Sequence, residues 1–118
     1  MFLSPLIYAN ENSLFLGTWM YVDKGTDWKE TSICTYADNG TFSCKIEEHG
    51  CTKSGWCEAQ SFLTDGIWSI SNNKLTLHTT IFTKTHTQKL EIVSLKADKL
   101  VLLFNNKKQT WLRSSRTN

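Results

Sequence analysis

Cys34-Thr35-Tyr36-Ala37-Asp38-Asn39-Gly40-Thr41-Phe42-Ser43-Cys44 reads as two extended runs folded back on one another. Asn-Gly between alternating apolar residues is a strong short-range hairpin signal. With Asp38-Asn39-Gly40 as a three-residue turn and Gly40 left-handed, Ala37 faces Thr41 and Tyr36 faces Phe42. The same register sets Cys34 opposite Cys44, on the face that carries the aromatic pair. Of the possible pairings this geometry favours Cys34–Cys44, which leaves Cys51 with Cys57 across residues 52–56. Closing two short loops stabilises a fold by roughly 2–3 kcal/mol each in the chain-entropy account. Asn39-Gly40-Thr41 also fits a glycosylation acceptor, but its first reading is the turn.

Outward from this hairpin the chain is a series of short β-runs separated by turn residues. Leu14–Val22 precedes Lys29–Ala37 and Thr41–Glu47; Glu58–Leu63, Gly66–Ser71, Lys74–Thr83, Gln88–Leu95, Lys99–Phe104 and Gln109–Arg113 follow. Turns are expected at Asn72-Asn73, Ala97-Asp98 and Asn105-Asn106. Leu75, Leu77, Thr79 and Ile81 share one face by period-two alternation. No window sustains a 3.6-residue period, so any helix is short and N-terminal. The fold class expected is all-β, an antiparallel meander barrel of about eight strands with disulfides. Leu100 to Phe104 is apolar on both faces and needs an outer cover, which Phe2, Leu3, Leu6, Ile7 and Tyr8 are placed to supply.

The 118 residues, 40% of them hydrophobic, suit one domain with one core. Residues 14–118 form that domain, and residues 1–13 read either as the remnant of a secretory signal, with Ile7 and Ala9 at peptidase positions, or as a structural N-terminal extension. An even cysteine count beside an export-like start points to an oxidising compartment, hence a secreted or periplasmic protein. A zinc site from Cys44, His49, Cys51 and Cys57 is the rival reading, but paired Cys-x-x-Cys spacing is absent and no metal is expected. No run approaches the roughly 20 apolar residues of a membrane span. A formal net charge of +2 supplies no strong field towards nucleic acid or an anionic surface.

Gly17-Thr18-Trp19, the hairpin Tyr36 to Phe42, Gly66-Ile67-Trp68-Ser69-Ile70 followed by Lys74-Leu75-Thr76-Leu77, and a closing Thr110-Trp111-Leu112-Arg113 together resemble the small bacterial lipocalin-like domains. The resemblance spans about Leu14 to Arg113. It implies that Trp19 plugs the barrel floor while Arg113 lies across it in a cation–π contact, a structural role. Gly17 is expected to be small because the backbone crowds where the sheet bends to close. The chain departs from the family in its short strands, which predict a squat barrel, and in the cysteine-rich loop from Glu48 to Cys57.

No nucleophile elbow, phosphate loop, dinucleotide fingerprint or His-Glu-x-x-His motif is present, so no enzyme and no cofactor are expected. His78 and His86 read as strand histidines rather than an acid–base pair. Lys84, Lys89, Lys96, Lys99, Lys107 and Lys108 read as strand-edge lysines that block aggregation. Two functions remain. In the first, the barrel carries a small apolar or amphipathic ligand against Trp68, Ile70, Leu75, Leu77, Leu90 and Ile92. In the second, the barrel is solid and the domain acts as an inhibitor or interaction module, with Trp56 in the disulfide-pinned loop 48–57 contacting a protein partner. A monomer or homodimer is expected, with no nucleic-acid partner.

Overall fold

The computed structural model describes residues 13–81 and 83–115. Eight antiparallel strands follow one another in a closed meander: β1 (Gly17–Lys24), β2 (Trp28–Tyr36), β3 (Thr41–Cys51), β4 (Cys57–Ser71), β5 (Lys74–Ile81), β6 (Lys84–Leu95), β7 (Lys99–Phe104) and β8 (Lys107–Ser115). The expected barrel is therefore present, and both disulfides pair as read, Cys34 with Cys44 and Cys51 with Cys57. Tyr36 lies opposite Phe42 and Cys34 opposite Cys44. Gly40 turns the chain at φ 88°, with the Ala37 amide donating to the Thr41 carbonyl.

Two further hairpins use paired asparagines. Asn72 and Asn73 join β4 to β5, and Asn105 and Asn106 join β7 to β8, all with positive φ. Such left-handed pairs match the twist of the strands they connect, and asparagine tolerates them better than other side chains with a Cβ.

Several boundaries differ from the sequence reading. Glu58–Leu63 and Gly66–Ser71 are one 15-residue strand, β4. Gly66 lets it continue, because a Cβ there would meet the His78 carbonyl oxygen at 1.9 Å. The backbone of β5 approaches too closely for any side chain, so this glycine marks a close strand contact within an unbroken strand. β3 runs on to Cys51 because the Cys51–Cys57 bond staples the far end of its ladder, leaving only residues 52–56 as loop. β6 begins at Lys84, so the β5–β6 ladder also reaches further than expected. The barrel is squat only in part: at about 3.3 Å per residue, β4 runs on the order of 50 Å and projects past the rim with β3 and the start of β2. β7 pairs with β6 from Glu91 onward, so Lys84 and Lys89 lie on a stretch of β6 whose second edge has no strand partner among the described residues. Lys107 instead bonds Asp23 at 2.8 Å.

The floor is built from the first described residues. Ser13, Leu14 and Phe15 are helical rather than extended. Gly17 then swings the chain into β1 at φ 113°, so conformation is a visible reason for glycine there. Phe15 and Trp19 are fully buried, and the Trp19 indole donates to the Phe15 carbonyl at 2.8 Å. Arg113 stands opposite Trp19 where β8 meets β1, its guanidinium 4.0 Å from the ring centroid. It also donates to the carbonyls of Ala97, Leu14 and Leu16. One side chain on β8 thus holds two other backbone segments, the turn before β1 and the β6–β7 connection. Leu100 and Leu102 bury their side chains in the core. The cover expected over the outer side of that strand, from Phe2, Leu3, Leu6, Ile7 and Tyr8, lies outside the described residues, as do residues 1–12 of the suggested signal remnant.

Replacing Arg113 by Ala removes charge-assisted bonds and a ring contact together, so urea titration should show a loss of about 2–4 kcal/mol. Arg113→Lys should recover little of it, since an ammonium cannot fork between carbonyls. The Cys34→Ala, Cys44→Ala double variant should lose roughly 2–3 kcal/mol in the same assay.

Candidate functional site

The inner face of the barrel can be read row by row from the strand register, because side chains alternate across a sheet. Starting at the floor, Gly17, Tyr36, Phe42 and Gly66 stand side by side on β1 to β4. Next come Trp19, Cys34, Cys44 and Thr64, then Tyr21, Ser32, Ile46 and Phe62. A fourth row is Asp23, Glu30, Glu48 and Gln60, at the rim. Beyond it β2, β3 and β4 carry Trp28, Gly50 and Glu58. An aromatic floor thus gives way to a carboxylate row at the rim.

The lower part encloses a cavity of about 560 Å³. That volume falls within the range of small-molecule sites, roughly 300–1,000 Å³. Its wall includes the Cys34–Cys44 disulfide, Phe42, Leu75, Leu77, Leu90, Leu102 and Trp111, with Ser32, Thr64, Thr79, His86, Gln88 and Gln109 as polar groups. Tyr21 stacks on Trp111 with centroids 5.2 Å apart, and the Trp111 indole donates to Gln109 Oε1 at 3.2 Å. Burial pushes the Tyr36 phenol far above its ordinary range, so it stays neutral at the cavity base.

Of the six lining residues expected, Leu75, Leu77 and Leu90 line this cavity. Trp68 belongs to the floor: its indole donates to the Ala37 carbonyl at 2.9 Å, and its ring lies 5.1 Å from that of Phe15. Ile70 and Ile92 pack against the core below the open volume. The two histidines point to opposite faces. His86 lines the cavity, whereas His78 meets Thr87 Oγ1 at 2.9 Å on the exposed side. Among the described residues no group of three or more potential ligands converges as a metal site.

A second concavity, also about 560 Å³, lies on the projecting strands. Trp28 and Trp56 line it, 49% and 66% exposed, with Glu30, Glu48, Glu58 and Gln60 between and beside them. Trp56 sits in the loop closed by Cys51–Cys57 and donates weakly to Glu58 Oε1 at 3.3 Å. The Trp28 indole folds over Gly25, where a Cβ would meet Nε1 at 2.2 Å.

Asp23, Glu30 and Glu48 were not singled out as a group by the sequence reading, yet counting outward from Cys34 opposite Cys44 sets Glu30 opposite Glu48. Partial burial raises the Glu30 carboxyl, as do a hydrogen bond with Glu48 and the charges of Glu48 and Asp23; Lys107 acts the other way. The Lys107 ammonium is held above its ordinary range by its bond to Asp23, together with the charges around it. Like charges on facing strand positions disfavour the fold.

No family model and no curated protein matches this chain. Among solved structures it is similar to a lipocalin-like protein from Bacteroides uniformis, at TM-score 0.54 and 13% identity, covering 85% of this chain and 98% of that one. The fold is thus lipocalin-like, in agreement with the resemblance carried by the residues themselves.

Because the folded state holds a proton on Glu30 more tightly than the unfolded chain does, stability falls as pH rises from about the ordinary value of 4.5 through the raised one. Glu30→Gln should flatten that part of the profile. The difference in urea midpoint between wild type and variant should therefore move in the variant's favour from pH 4 to pH 7. A difference independent of pH would show that the lip carboxylates do not repel.

Proposed function

We propose that the protein is a non-enzymatic, exported carrier that takes the apolar part of a small amphipathic ligand into its barrel. The observation that carries this reading is the open volume of about 560 Å³ above a sealed aromatic floor. Its wall is mainly apolar, with hydroxyl, amide and imidazole groups contributed by β2, β4, β5, β6 and β8. That is the pattern of a site that buries a hydrocarbon and orients it with a few polar contacts. The two disulfides support export. No helix among the described residues is long and apolar enough to cross a membrane. The alternative, an interaction module acting through Trp56, presumed a filled interior, and the hollow one favours the carrier.

The neutral dye N-phenyl-1-naphthylamine tests the reading directly. Its emission should rise on mixing with the protein, with micromolar affinity. Leu90→Trp, which fills the cavity from β6, should weaken binding about tenfold or more while leaving the folded far-ultraviolet spectrum intact. Dye that fails to bind, or binds equally well to the filled variant, would refute the carrier.

A further inference from the structure

The concavity on the projecting strands adjoins the barrel mouth. Glu30 follows Ser32 along β2, and Glu48 follows Ile46 along β3, two residues on in each strand and so on the same face. Ser32 and Ile46 line the interior cavity, whereas Glu30 and Glu48 line the outer groove. Phe62 stands between Gln60 and Thr64 on the same face of β4, 43% exposed, and so falls between the two concavities in the register. A single elongated molecule can therefore lie in both.

The groove's chemistry differs from that of the chain. Overall the protein carries a formal charge of +2, yet the groove is lined by Asp27, Glu30, Glu48 and Glu58 against Lys29. Two exposed indoles, Trp28 and Trp56, border these carboxylates. Indole faces attract cations, most of all poorly hydrated ammonium groups, and the carboxylates beside them add a Coulombic pull of the same sign. Lys107 pairs with Asp23 at one end of the carboxylate row. The facing pair Glu30 and Glu48 is a place where a further positive charge relieves repulsion.

We propose that the groove binds the cationic head of an amphipathic amine whose hydrocarbon tail enters the barrel cavity between β2, β3 and β4. This rests on the carrier reading above and adds the sign of the ligand's charge. The head lies over Trp28 and Trp56 beside Glu30 and Glu48, and the tail passes Phe62. An anionic amphiphile meets the same carboxylates as a barrier. A tail-less cation meets half a site.

Displacement of N-phenyl-1-naphthylamine at pH 7 and low salt, with all amphiphiles below their micelle-forming concentrations, tests this. Octyltrimethylammonium should displace the dye at about one tenth of the concentration that octanol needs. Octanoate should need more than octanol, and tetramethylammonium should not displace. In the Glu30→Gln, Glu48→Gln double variant the ammonium preference should shrink towards unity, with octanol unaffected. Lys107→Met, which removes a competing cation, should widen it. If the dye binds but ammonium, alcohol and carboxylate compete equally, the charge assignment is wrong and the carrier reading stands. Tetramethylammonium displacing as well as its octyl analogue would separate the two concavities and likewise overturn the proposal. If the dye itself does not bind, the carrier reading fails and this inference with it.

Discussion

A ring of strands exists only if its first and last members meet, and here the seam depends on Arg113 against Trp19. β1 and β8 are joined over a short, shifted register, so backbone pairing alone holds them weakly. The guanidinium compensates by reaching the helical turn before β1, the β6–β7 connection and the face of the plugging indole. Its partners are backbone carbonyls and a ring face at the end of the cylinder. Sealing one end this way leaves the other free to open.

The open end is shaped by a second covalent constraint. Cys51–Cys57 closes the far end of β3 and β4, which together with β2 extend beyond the last β4–β5 pair, Gly66 with Thr79. That extension carries the inner face of the sheet out past the rim, and with it the carboxylates and the two exposed indoles. Without the staple the end of β4 would fray, because from Cys57 to Asp65 that strand is paired with β3 and not with β5.

Much of this architecture was legible in the residues. The Asn39-Gly40 turn fixed the register of β2 against β3, and that register alone predicted the pairing of four cysteines. Alternation in Leu75, Leu77 and Leu90 marked the cavity wall. Trp68, expected in the cavity wall, stands in the floor, because alternation gives the face but not the depth. The floor depended on Phe15, placed in a helical turn that the apolar run around it disguised as strand. Gly66 misled in the other direction, since close approach of β5 and a chain break leave the same mark in sequence. The carboxylate row was invisible for another reason: its members are scattered along three strands, and only the closed register aligns them.

The five tryptophans stand at different depths in one vessel. Trp19 and Trp68 are in the dry floor, Trp111 is in the wall, and Trp28 and Trp56 face water at the lip. Indole emission shifts to longer wavelength as its surroundings become more polar, so the bottom and the brim of this molecule report in different colours. Anything that enters it part-way is located by which of those colours changes.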